Sequence, residues 1–358
     1  MSSTIGEKIK ISIFGESHGK AIGVVIDGLP TGQKLDIDKI LLEMKRRAPG
    51  NDKTATPRKE ADFPEILSGI VDLTTTGAPL CAVIHNTNTK SKDYSNIKKC
   101  PRPGHSDYPA FVKYNGFNDI AGGGHFSGRI TAPIVFAGAV CKQILMEKGI
   151  KVTAHINSIG SVEDKSFDPC NITDDVIENL LNSSFPLIDN SKEDDMRKVV
   201  MDAASDKDSV GGTIECAVTG LWAGIGGPMF DGIEGKIAKA VFGIPAMKGI
   251  EFGKGFDLAK MRGSESNDNF RYDVNGNVYT QTNNCGGILG GITNGMPITF
   301  KVAVKPTPSI AQPQDTINLE TKENDVLEIK GRHDPCIVLR AVPVIEAITA
   351  ITILDLIS

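Results

Sequence analysis

Histidine, arginine, serine and glycine gather in four short segments of this 358-residue chain. Together they suit proton transfer beside a bound anion. The first segment is Gly15-Glu16-Ser17-His18-Gly19, and the second is Arg102-Pro103-Gly104-His105-Ser106-Asp107-Tyr108. The third is Gly122-Gly123-Gly124-His125-Phe126-Ser127-Gly128-Arg129. The fourth joins Lys305-Pro306-Thr307-Pro308-Ser309 to Gly331-Arg332-His333-Asp334-Pro335-Cys336 downstream. Four of the six histidines fall inside these segments. Imidazole, with an unperturbed pKa of ~6.5, exchanges protons near neutrality. Arg102, Arg129, Arg332 and Arg340 lie in or beside the segments. Guanidinium binds carboxylate and phosphate through paired hydrogen bonds, so the pattern fits a compact polyanion. The histidine spacings match no local zinc pattern, and no metal is expected.

Two of the segments admit more than one reading. Gly122-Gly123-Gly124 before a helix suits either an anion cradle of backbone N–H groups or a tight loop that needs positive φ. It is neither a Walker A loop nor a dinucleotide fingerprint. Gly15-Glu16-Ser17-His18-Gly19 also fits G-x-S-x-G, which would make Ser17 the nucleophile of a serine hydrolase. That elbow requires a strand, a sharp turn and then a helix. Here Val24-Val25-Ile26-Asp27-Gly28-Leu29-Pro30 follows, which reads as a second strand. Lys45-Arg46-Arg47 closes a helix, and Lys53 and Arg58 come next. These cations suit either anion binding or the helix C-terminus, where each contributes ~0.3–1 kcal/mol.

The elements that must position these groups mix strands and helices. Ile9 to Phe14 and Ile22 to Ile26 read as strands. Asp36 to Arg47 reads as a helix, with Ile37, Ile40, Leu41 and Met44 at helical spacing. A longer helix is predicted from Ser127 to Lys148, capped by Ser127 and closed by Gly149, with Pro133 early in it. Thr173 to Leu181, Asp194 to Ala204, Asp231 to Phe242 and Pro343 to Leu356 are further helices. Gly212 to Leu221 and Ile298 to Val304 are strands. Asn275-Gly276 between Phe270-Arg271-Tyr272 and Val278-Tyr279-Thr280 predicts a type I′ hairpin. No regular β-α-β-α alternation appears. The expectation is a layered α/β or α+β domain rather than a Rossmann sheet.

Bulk properties narrow the class. A net charge of −5 argues against a general nucleic-acid binder. The seven scattered cysteines contain no C-x-x-C, so neither a disulfide framework nor a zinc knuckle is expected. No apolar run approaches the ~20 residues of a membrane span, and no secretory signal is visible. A cytoplasmic protein with reduced thiols and no membrane partner is the simple expectation.

Taken in order, the four segments resemble the signatures of the chorismate synthase family. Gly15 to Gly19 with Val25-Ile26-Asp27-Gly28-Leu29-Pro30 resembles the opening signature, and Arg102 to Tyr108 the second histidine motif. Gly122-Gly123-Gly124 through Ser127-Gly128-Arg129-Ile130-Thr131-Ala132 resembles the central signature. Gly331 to Cys336, with Glu346, resembles the C-terminal one. The likeness runs from about residue 5 to the end, as one domain over residues 1–358.

The resemblance implies a β-α-α-β sandwich and a homotetramer. It implies a lyase of the shikimate route to aromatic amino acids. Such enzymes convert 5-enolpyruvylshikimate 3-phosphate to chorismate by 1,4-anti elimination of phosphate, with reduced FMN and no net redox change. Flavin and nicotinamide chemistry (FAD, NADP) belongs to the same family context, and NADPH is left open as the reductant. By matching position, His18 would assist departure of the phosphate. His105 would protonate or stabilise the reduced flavin, and Asp334 would help remove the ring proton. Ser17, Arg46, Arg47, Lys53, Arg129 and Arg332 would bind the substrate. Flavin contacts would come from His125, Phe126, Ser127, Pro245, Ala246, Gly290, Lys305, Pro306, Thr307, Pro308, Ser309 and Arg332. Arg47 also matches a position associated with the nicotinamide cofactor. His125 and Phe126 replace the Arg-Ser of many members, so a fixed cation becomes a titratable one. Ala48 and Lys53 stand where many members carry arginine.

Overall fold

Alternation of apolar residues builds two antiparallel sheets, each of five strands. The computed structural model describes residues 3–48, 62–87, 97–329 and 334–358. In the first sheet the strands run in the order Thr4–Ile5, Lys10–Gly15, Ala21–Asp27, Leu80–His85 and Glu65–Ser68. Ile22, Val24 and Ile26 stand opposite Ile84, Ala82 and Leu80, and all six are buried. Because side chains alternate, this register turns one face wholly toward the core. The second sheet runs Met247–Phe252, Ile298–Val304, Gly212–Thr219, Lys151–Ile159 and Val162–Glu163.

Two layers of helix lie between the sheets. Helix Ile37–Arg47 starts at Asp36, whose carboxylate accepts the Lys39 N–H at 3.2 Å. Helix Thr131–Glu147 packs beside it and against the first sheet. Helices Ile233–Phe242 and Val338–Ile357 form the other layer, and Val338–Ile357 lies on the second sheet. The layers meet where Gly138 faces Ala347. A methyl group on Gly138 would stand 2.2 Å from the Ala347 Cβ, so only glycine permits this approach. The order sheet–helix–helix–sheet is the expected β-α-α-β sandwich, and one hydrophobic core joins both sheets.

Several boundaries differ from the sequence expectation. Ser127 caps a single 3-10 turn, Gly128–Ile130, and the α-helix proper starts at Thr131. By length and composition the segment Gly128–Glu147 could cross a membrane, a property the sequence reading missed. Here it is the central core helix, with Thr131 to Cys141 buried throughout. The last helix starts at Val338, earlier than expected, and carries Pro343 within it. The Asn275-Gly276 turn is not type I′, because only Gly276 takes positive φ. Asp273 instead accepts the N–H groups of Asn275 and Asn277, each at 2.8 Å, and closes a longer loop.

Two buried polar clusters hold the layers. Arg46 donates to Glu43 and Glu346, both at 2.6 Å. Lys142 bonds the same two carboxylates at 2.5 and 2.7 Å. Glu346 also accepts the Ala154 N–H at 2.9 Å, which ties three helices to the second sheet. Burial alone would raise the Glu346 pKa, but Arg46 and Lys142 bring it down to about 2. On the same sheet His155 is fully buried between Asp164 at 3.1 Å and Glu215 at 2.9 Å.

Candidate active site

The first hairpin and the glycine loop are built against each other. Gly15 ends a strand with φ 96°, and its carbonyl accepts from His125 Nδ1 at 2.8 Å. The Ser17 N–H donates to the Gly124 carbonyl at 3.1 Å. Asn86 Nδ2 bonds the carbonyls of Glu16 at 3.0 Å and Gly19 at 2.9 Å, holding the hairpin tip. Gly122, Gly123 and Gly124 take φ of 62°, 86° and 53°, a run of left-handed residues that side chains disfavour. A methyl on Gly122 would lie 2.1 Å from the His18 ring, and one on Gly123 would lie 3.3 Å from the His105 ring. The tight-loop reading of the glycines is therefore the one the structure supports: they let two histidines approach one loop.

The hydrolase reading of Ser17 does not fit this setting. The strand Ala21–Asp27, not a helix, follows the turn, and Ser17 is buried. His125 also differs from expectation. A carbonyl oxygen only accepts, so Nδ1 carries a proton toward Gly15, while Nε2 meets Ser3 Oγ at 2.8 Å. Both ring nitrogens thus bind the protein itself, while His125 and the more exposed Phe126 both border the cleft.

A cationic cluster adjoins the hairpin. Arg47, the last residue of its helix, is 1% exposed. Its guanidinium donates to Asp62 at 2.6 Å and to Thr131 Oγ1 at 3.2 Å. The second oxygen of Asp62 pairs with Arg129, whose Nε also donates to Asn86 at 3.1 Å. Burial opposes the charge on Asp62, but the two guanidiniums outweigh it and hold the carboxyl below the usual range. Burial, with Arg340 and Arg129 nearby, draws Arg47 down to about 10 despite Asp62. Arg340 Nε donates to the Arg47 carbonyl at 3.1 Å, and its Nη1 pairs with Asp334.

A second cluster is centred on Asp107. Arg102 grips it through Nε at 2.7 Å and Nη2 at 2.8 Å, and through its own backbone N–H at 3.0 Å. His105 Nδ1 stands 2.6 Å from Asp107 Oδ1. Arg102 Nη1 continues to Ser309 Oγ at 3.0 Å, and Lys305 Nζ donates to the Gly104 carbonyl at 2.9 Å. Burial and neighbouring Lys248 push the Lys305 pKa down.

These groups surround one cleft of about 1790 Å³. Ser17, His18, Arg47, His105, His125, Phe126, Ser127 and Arg129 border it, as do Pro245, Ala246, Lys305, Thr307, Pro308, Ser309 and Asp334. Three expected residues are placed otherwise. Arg46 points into the buried carboxylate cluster, so it is a structural cation rather than part of the cleft wall. Gly290 forms the tip of the Ile288–Leu289 and Ile292–Thr293 hairpin, outside the cleft lining. Pro306 is exposed between cleft residues without bordering the cleft itself. Lys53 and Arg332 lie outside the described residues, as do Arg58 and His333. Sequence reasoning passed over Asp62, Thr131 and the pairing of Asp107. Asp107 was recoverable from its position two residues after His105; Asp62 carries no local motif.

Guanidinium groups, three histidines and the Asp334 carboxylate around one roomy cleft define an enzyme that handles a small polyanion with proton transfer. The sequence comparisons give that class a family. The family described as chorismate synthase matches residues 9–357. A chorismate synthase of Dehalococcoides mccartyi is 47% identical over 356 residues, covering 99% of this chain and 96% of the relative. That of Methanocaldococcus jannaschii is 45% identical over 365 residues, again covering 99% and 96%. A crystal structure of a chorismate synthase superposes with a TM-score of 0.76 at 28% identity, covering 98% of this chain and 92% of the other. The chain belongs to the chorismate synthase family, and its role is that of a lyase.

Proposed function

We propose that this cleft converts 5-enolpyruvylshikimate 3-phosphate to chorismate by 1,4-anti elimination of phosphate and a ring proton, with reduced FMN. One observation carries the reading. Consecutive glycines bring His18 and His105 to the same cleft as the Arg47–Asp62–Arg129 cluster and Asp334. The substrate has a phosphate and two carboxylates, so cations and proton donors must converge on it.

In this scheme Arg47 and Arg129 bind anionic groups. His18 supports the departing phosphate by hydrogen bonding or proton donation. Asp334, paired with Arg340, takes part in removing the ring proton. His105, at the cleft surface, would hold an exchangeable proton for the bound cofactor. Reduced FMN, when bound, supplies transient electron donation that eases loss of a weakly acidic proton without net redox change.

The residues present fit such a cofactor. A single small ligand needs ~300–1,000 Å³, and this cleft is larger, with room for a planar ring beside the substrate. Phe126, Pro245, Ala246, Thr307 and Pro308 offer apolar and backbone surface, while Lys305 and Ser309 offer polar groups.

The test is anaerobic incubation of the protein with reduced FMN and 5-enolpyruvylshikimate 3-phosphate. Chorismate and phosphate are expected in equal amounts. Folded protein that binds flavin but releases no phosphate would establish a non-catalytic flavin- or phosphoanion-binding protein instead. Replacing the chemical reductant with NADPH reports whether the chain reduces its own flavin. The proposal extends to one domain spanning the chain, assembled as a cytoplasmic homotetramer; sedimentation tests the assembly.

A further inference from the structure

We infer that Asp107 is the positioning residue of His105: its carboxylate accepts the hydrogen bond from Nδ1–H and leaves Nε2 as the atom that exchanges a proton in the cleft. The inference rests on the proposed role of His105 in the reaction and adds the group that orients it.

The geometry leaves little freedom. His105 Nδ1 and Asp107 Oδ1 are 2.6 Å apart, and the two side chains are 15% and 6% exposed. A bare nitrogen lone pair cannot face a carboxylate oxygen at that distance with almost no water between them. A proton must lie on the line between them. Arg102 decides which group owns it. Its fork occupies both oxygens of Asp107, at 2.7 and 2.8 Å, and its backbone N–H adds a third bond at 3.0 Å. A carboxylate with three such donors stays ionised. Burial opposes this, but the bonds from Arg102 and His105 hold Asp107 well below the usual carboxylate range. The shared proton therefore sits on the imidazole. Arg102 Nη2 is 3.1 Å from Nδ1, yet guanidinium nitrogens only donate. With Nδ1 protonated, that approach is a proximity rather than a bond.

The opposite edge of the ring is directed to the glycine loop. A methyl on Gly123 would stand 3.3 Å from both Cε1 and Nε2 of His105. Gly123 thus keeps that edge uncovered, and His105 borders the cleft. Serine-protease histidines are held in one tautomer by the same arrangement, a buried carboxylate on Nδ1 with Nε2 left to the reaction. Here the carboxylate is itself fixed by Arg102, which reaches on to Ser309 across the cleft wall.

The test combines a spectroscopic readout with kinetics on the full-length protein. With 15N-labelled histidine, the His105 ring signals are identified by their loss in His105→Gln. In the neutral ring, Nδ1 is expected to carry the proton and Nε2 to be bare. Asp107→Asn should abolish that preference and lower kcat at least about tenfold, with the substrate KM within about threefold. Asp107→Glu keeps a carboxylate and should retain the tautomer and recover part of kcat; it also decides the matter if Asp107→Asn fails to fold. Arg102→Lys should weaken the fork yet leave the tautomer in place. An Nε2–H tautomer in the wild type, or an Asp107→Asn variant with unchanged ring signals and kcat, overturns the inference. Normal turnover in His105→Gln would instead refute the role proposed for His105, a result separate from the tautomer measured in the same samples.

Discussion

Gly122 and His18 are in such close contact that the loop has no room for a side chain: a methyl group on Gly122 would stand 2.1 Å from the imidazole and 2.8 Å from Ser17 Oγ. Gly122→Ala must therefore displace His18 or unwind a φ of 62°. The left-handed backbone alone costs an alanine ~1–2 kcal/mol. Turnover should fall by about 100-fold, the scale set by a misplacement of about 1 Å, while the thermal midpoint drops only modestly. Chorismate formation and a melting curve measured on one preparation check this. Wild-type activity would show that His18 need not stand where the loop holds it.

Asp62 bridges Arg47 and Arg129 with a fully buried carboxylate. Asp62→Asn removes the charge that the two guanidiniums share. The expected loss is about 3 kcal/mol at neutral pH. The folded-state pKa of Asp62 is depressed, so its contribution is present above the unfolded value near ~3.9 and disappears as pH falls through the folded value. The gap between wild type and variant should therefore close in acid below about pH 4. Urea midpoints at neutral and acidic pH measure it, and a gap that persists in acid would contradict the assignment.

Arg46 and Arg47 are adjacent in sequence but serve different sites. Arg46→Ala leaves Glu346 and Glu43 buried with Lys142 as their remaining cation. It should cost about 3–5 kcal/mol of stability. Substrate KM in the surviving folded fraction should stay within about twofold, because the guanidinium does not border the cleft. A large KM increase without destabilisation would return Arg46 to the substrate site.

His155 provides a pH test remote from the cleft. Burial lowers its pKa, but the hydrogen bonds its ring donates to Asp164 and Glu215 more than offset this and raise it. A raised folded pKa stabilises fully below the unfolded value of ~6.5, and the benefit is lost as pH rises through the folded value. The advantage of wild type over His155→Gln should be greatest below about pH 6.5 and shrink on the alkaline side. Denaturant midpoints across that range decide it; an advantage that is constant with pH would mean His155 keeps one charge state throughout.

Local chemistry made much of the framework legible in the sequence. The helices expected to begin at Asp36 and Thr173 do begin there, each capped by that residue's side chain. Ile22, Val24 and Ile26 alternate as a half-buried strand must. The strands Leu80–His85, Lys151–Ile159 and Met247–Phe252 escaped reading. Lys151–Ile159 is buried on nearly every residue, so its faces do not alternate in polarity. The histidine segments were visible because their residue types are rare and clustered. The groups that hold them were not: Asp62 meets Arg47 and Arg129 only through tertiary contact, and no spacing rule separates Arg46 from Arg47 at a helix end. His125 shows the same limit, since its occupation by Gly15 and Ser3 depends on a strand more than a hundred residues away.

The cleft takes its wall from Ser3 near one end of the chain to Ile351 near the other. Synthesis from the N-terminus therefore yields no early version of the site. His18, Arg47 and His105 leave the ribosome long before Asp334 and Arg340, and helix Val338–Ile357, which closes the two inner layers together, follows them. A chain cut before Asp334 would carry His18, Arg47 and His105 without the Asp334–Arg340 pair that shares their cleft.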